Sequence, residues 1–150
     1  MIGAPTLGRV DDLELALPTG ALIAGDAATV FADARPCLDA LPHGTFPVRA
    51  GADAIEVLLA EAAPVTWTRR QVRPTPSGYA ALLDAGALAD YTDLGDEPVD
   101  EFELLVEQLA DREVTIFRDV IGVRTGAQEC VLELALDASG NVCRLALRWA

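Results

Sequence analysis

The chain contains no lysine: all eleven of its positive charges are arginines, set against 24 acidic residues in 150. A net charge of −13 and a pI near 4.2 argue against nucleic-acid binding, which needs a basic face to neutralise phosphates. Histidine occurs once, as His43 between Pro42 and Gly44, so the usual multi-histidine metal sites cannot be assembled and His43 reads as a loop residue. Cys37, Cys130 and Cys143 are odd in number and lack C-x-x-C spacing, which speaks against a zinc ribbon, a thioredoxin motif or a disulfide scaffold. Aromatics are scarce at 5%, which leaves leucine, valine and alanine to fill the core. There is neither a basic, apolar leader at the start nor an apolar run of membrane-spanning length, so the expectation is a cytoplasmic protein without a membrane partner. No phosphate-cradling glycine pattern is found, and Ser77 and Ser139 lack the flanking glycines of a nucleophile elbow. Neither a cofactor nor a metal is expected.

Hydrophobic residues make up 51% of the chain, enough for one core, and the length suits one domain over residues 1–150. Short alternating runs dominate. Residues 13–17 and 21–24, separated by Pro18-Thr19-Gly20, read as a hairpin-like start. Further strands are expected over 46–50, 54–60 and 65–72, with another within 114–123. Residues 79–91 fit either a helix or two short strands turning at Asp84-Ala85-Gly86. The clearest helix is 98–112. Pro98 suits its first turn, Asp100, Glu101 and Glu103 oppose the positive end of its dipole, and Val99, Phe102, Val106 and Leu109 form an apolar stripe beside Leu105.

A hairpin closes the chain, residues 130–137 and 142–149 around Ala138-Ser139-Gly140-Asn141. Matching its apolar faces sets Leu136 opposite Cys143, Leu134 opposite Leu145, Leu132 opposite Leu147 and Cys130 opposite Trp149. Glu133 then lies diagonal to Arg144 and Arg148 on the outer face. Cys130 and Cys143 fall about 20 Å apart, too far for a disulfide. The fold class expected is α+β and β-rich: antiparallel sheets in a sandwich or open barrel, with one main helix.

Several segments resemble a bacterial family known as domain of unknown function 4241. The motifs are Pro18, Gly20, Leu22 and Asp26; Pro42, Gly44, Phe46, Pro47 and Val48; Ala63-Pro64-Val65-Thr66-Trp67; Gly78, Tyr79, Asp84, Ala85, Gly86 and Asp90; and Asp137, Gly140 and Val142. They occur in the family's order across most of the chain. A Gly-Asp-Gly-x-Tyr-Pro-Val stretch of the family is absent, residues 122–130 reading Gly-Val-Arg-Thr-Gly-Ala-Gln-Glu-Cys. The resemblance implies a fold more than an activity, and it favours strand–turn–strand over residues 79–91.

Two functional readings follow. Acidity, small size and the missing catalytic motifs suggest a non-enzymatic interaction module, such as an immunity or inhibitor protein for a basic toxin or enzyme. The alternative is a small-molecule-binding or hydrolytic domain with a pocket around Asp26, Asp84 and Asp90. The acidic string of Asp84, Asp90, Asp93 and Asp96 lacks the ligand spacing of a calcium loop and reads as turn-forming, solvated aspartates.

Overall fold

The computed structural model describes residues 7–30, 37–51, 53–87, 98–109, 114–117 and 120–149. Ten strands form two antiparallel sheets. β1 (Leu7–Leu17), β3 (Gly44–Gly51), β4 (Ala54–Leu58), β5 (Thr66–Pro74), β9 (Glu129–Leu136) and β10 (Val142–Trp149) make a six-stranded sheet in the order β1-β3-β4-β10-β9-β5. β2 (Leu22–Asp26), β6 (Tyr79–Asp84), β7 (Val114–Phe117) and β8 (Val120–Arg124) make a four-stranded sheet in the order β2-β6-β8-β7. With helix α1 (Pro98–Gln108), this is the β-rich α+β class read from the sequence.

Alternation along the strands decides the layering. Leu15, Leu17, Val48, Ile55, Val57, Leu132, Leu145 and Leu147 from the large sheet meet Leu22, Ala24, Leu82 and Ile121 from the small one, and all are buried. The small sheet's other face is apolar too. There Ile23, Ala81, Leu83 and Val120 pack with Leu105 and Leu109 of α1 in a second cluster. The order of layers is therefore helix, small sheet, large sheet, and among the described residues no element covers the large sheet's outer face.

Helix and sheet meet closely at Gly122, where a Cβ would lie 2.5 Å from Leu105 Cδ1. Gly122→Ala is expected to push the helix outward and cost about 1–3 kcal/mol, typical of overpacking. Chemical denaturation measures it, and an unchanged midpoint would show that the helix yields freely.

Three readings of the sequence are corrected. The start is no hairpin: Leu17 pairs with Gly44 in the large sheet and Leu22 with Asp84 in the small one. The turn at Gly20, with φ +72°, carries the chain between sheets. Residues 114–123 are not one strand but the paired strands β7 and β8. In residues 79–91 the chain is strand to Asp84 and helical over 85–87, where a turn into a second strand was favoured; residues 88–91 lie outside the described set. Helix 98–112 is observed to Gln108, and its stripe is half realised. Leu105 and Leu109 are fully buried, Val106 is half-buried, and the Phe102 side chain lies outside the described set.

The C-terminal hairpin holds the expected register at Leu134–Leu145, Leu132–Leu147 and Cys130–Trp149. Next to the turn a bulge replaces Leu136–Cys143 by Leu136–Val142. At the bulge the Cys143 carbonyl accepts Leu59 N and Ala60 N at 3.0 and 3.2 Å, which ties the β4–β5 loop to the strand. All three cysteines are free. At the sheet edge, β5 is exposed along most of its length, and its register shifts between Arg69 and Gln71. That irregularity, Arg69, Arg70, Arg73 and Pro74 are the features that keep an edge strand from pairing with another chain.

Candidate functional site

The motif residues converge on one corner. Asp84 ends β6 with its side chain fully buried (0% exposed). Its Oδ1 accepts Thr19 N at 3.1 Å and Thr19 Oγ1 at 2.8 Å, and Oδ2 accepts Gly86 N at 2.7 Å. The carboxylate thus caps the helical residues 85–87 and holds the turn at residues 18–20. Gly20 belongs to the same corner, because a Cβ there would lie 2.5 Å from the Leu41 carbonyl and 2.8 Å from the His43 ring. Leu41 N in turn donates to Gly20 O at 3.0 Å. His43 itself is exposed, as a loop residue.

Asp26 ends β2 and is 5% exposed. Its Oδ2 accepts Ala28 N at 3.0 Å, and its Oδ1 accepts Ser77 N and Ser77 Oγ at 2.9 and 2.7 Å. This is an Asx-turn that also anchors the loop before β6. Asp26 pairs with Ala80 whereas Asp84 pairs with Leu22, so the two aspartates stand at opposite ends of the β2–β6 ladder. Four residue steps separate them, about 13 Å. Asp90 lies outside the described residues. Both described carboxylates organise turns and are saturated by local donors. Among the described residues no three His, Cys, Asp or Glu side chains converge as a metal-ligand set, and no helix is long and apolar enough to cross a membrane.

The structure gathers other residues that the sequence reading did not. On the outer face of the large sheet, Glu133 and Arg148 form an ion pair, as the hairpin register anticipates. Arg148 also stacks over Trp67, 4.9 Å from the ring centroid, and Trp67 is 36% exposed. Arg144 reaches Glu56 at 3.8 Å rather than Glu133. Beside these pairs lies a cleft of about 300 Å³ lined by Asp53, Arg69, Glu129, Val131, Glu133, Arg148 and Trp149. Trp149 N donates to Asp53 O at 2.9 Å, and this bond brings the β3–β4 turn to the end of β10. The alternation of Glu133 and Arg148 was visible in the sequence, but the arrival of Asp53 and Arg69 depends on the β4–β10 and β5–β9 pairings.

Charge is unevenly spread. Residues 84–119 carry twelve of the 24 acidic residues and two arginines, Arg112 and Arg118. Within α1, Glu103 and Glu107 are exposed on the side away from Leu105 and Leu109, and the helix has no basic residue in its last turn.

Inside the core, burial pushes the Cys130 thiol up to about 11; Arg73 opposes the shift, and Cys37, Asp26 and Glu129 add to it. The folded protein holds this proton more tightly than the unfolded chain, so stability contributed below pH 9 is lost as pH rises to about 11. The loss expected is about 2–3 kcal/mol for a shift of this size. Denaturation of wild type and Cys130→Ala at pH 8 and pH 11 checks it: the variant should lose less stability, and equal losses would contradict the assignment.

Comparisons with protein-family models, with curated proteins and with solved structures found no match.

Proposed function

We propose that the protein is a non-enzymatic cytoplasmic interaction module that recognises a basic protein partner, in the manner of immunity and inhibitor proteins. The observation that carries this reading is the charge distribution. Half of all acidic residues fall in the 36 residues that include α1, and Glu103 and Glu107 are exposed on that helix. Exposed charge of one sign speeds encounter with a protein of opposite sign and disfavours polyanions. The saturation of Asp26 and Asp84 by turn hydrogen bonds supports a structural role for the aspartates that resembled a pocket. The resemblance to the bacterial family rests on the quoted motifs.

Affinity capture from the native host at low salt tests the reading. The expected result is a basic protein, released as salt rises and retained less by Glu103→Gln/Glu107→Gln. Recovery of the same proteins by wild type and variant would count against it.

A further inference from the structure

We propose that the cleft on the outer face of the large sheet binds an extended zwitterion of the basic α-amino-acid class, its carboxylate on Arg69 and its cationic arm between Asp53 and Glu129. The site is independent of the partner reading, since it lies on the opposite layer from α1.

Two of the charges beside the cleft are already used. Glu133 and Arg148 are paired with each other, and Arg148 is further held against Trp67. Their charges are therefore committed. Arg69, Asp53 and Glu129 also line the cleft, and among the described residues their side-chain charges have no ion-pair or hydrogen-bond partner. One cation and two anions thus face a concave space of about 300 Å³. That volume is at the small end of ligand pockets, right for a metabolite and too small for a larger cofactor.

Position then sets the length of the ligand. Arg69 is opposite Glu133 in the β5–β9 ladder, and Glu129 lies four residues further along β9. The two backbone positions are about 13 Å apart. Arg69 and Glu129 are both exposed and belong to the same face of the sheet, so their charges mark separate ends of the cleft. Arginine or lysine, with its carboxylate and distal cation at the two ends of a flexible arm, suits such a spacing better than a compact zwitterion such as glycine. Val131, midway between Glu129 and Glu133 on the same face of β9, supplies an apolar wall suited to the methylenes of such an arm. Arg69 is well placed as the carboxylate receptor, because a guanidinium offers two parallel donors to one carboxylate.

The full chain titrated with L-arginine, followed by amide NMR and calorimetry, tests the proposal. Saturable binding is expected, with the largest shifts at Val131 and Trp149. Agmatine, which keeps the guanidinium and lacks the carboxylate, should bind about tenfold more weakly, equivalent to about 1.4 kcal/mol. Arg69→Gln should weaken L-arginine by a similar factor and leave agmatine unaffected, while Glu129→Gln should weaken both. Glu107→Gln, on the far layer, should weaken neither. Failure of L-arginine to saturate, or an agmatine affinity equal to that of L-arginine, would overturn the proposal without needing any variant to fold. Loss of partner capture in Glu107→Gln with L-arginine binding intact would leave this site standing apart from the partner surface.

Discussion

Asp84→Ala is expected to destabilise the protein by about 3–5 kcal/mol, because several hydrogen bonds to a charged acceptor, each worth about 1.5–3 kcal/mol, are lost together. The carboxylate is fully buried and accepts from Thr19 N, Thr19 Oγ1 and Gly86 N. Truncation would leave the Thr19 and Gly86 backbone donors without their protein acceptor at a partly buried corner. Asp84→Asn keeps one acceptor oxygen but turns an amide toward a donor, so an intermediate loss is expected. Urea denaturation with linear extrapolation measures both. A loss below about 1 kcal/mol for alanine would mean that water replaces the carboxylate, and the corner would then not depend on it.

Gly20→Ala should have the next largest effect. The residue sits at φ +72°, and a Cβ would lie 2.5 Å from a backbone carbonyl that cannot rotate away. The left-handed conformation costs about 1–2 kcal/mol and the clash about 1–3 more, so a total of about 2–5 kcal/mol is expected. Gly126→Ala separates the two contributions. Its φ is +63°, and nothing lies within 4 Å of the Cβ position, so the conformational cost alone should appear. Equal losses at the two glycines would contradict the close approach of Gly20 to the loop at Leu41.

Much of the fold was legible because the relevant signals are local. The C-terminal hairpin carries period-two alternation on both strands, and a one-residue slip would expose its leucines, so three of its four expected pairs hold. The fourth failed because the bulge answers to Leu59 and Ala60, which are distant in sequence. The hairpin-like start misled for a similar reason. Turn residues announce that the chain reverses, but not whether the next strand rejoins the same sheet. The Asp26, Asp84 and Asp90 grouping rested on recurrent motif positions, and such positions arise from turn geometry as readily as from chemistry. The cleft was hidden from one-dimensional reading, because its charged residues come from three strands and a turn that only the sheet order brings together.

Acidity, including the exposed Glu103 and Glu107 of α1, is proposed to direct this protein to a basic partner. The most direct test is the association rate between the protein and the captured partner, measured by stopped flow from low to high salt. The rate should fall by at least about tenfold as screening shortens the reach of exposed charges, and Glu103→Gln/Glu107→Gln should lower it further at low salt. A rate that is flat across the salt range and unchanged in the variant would contradict the claim.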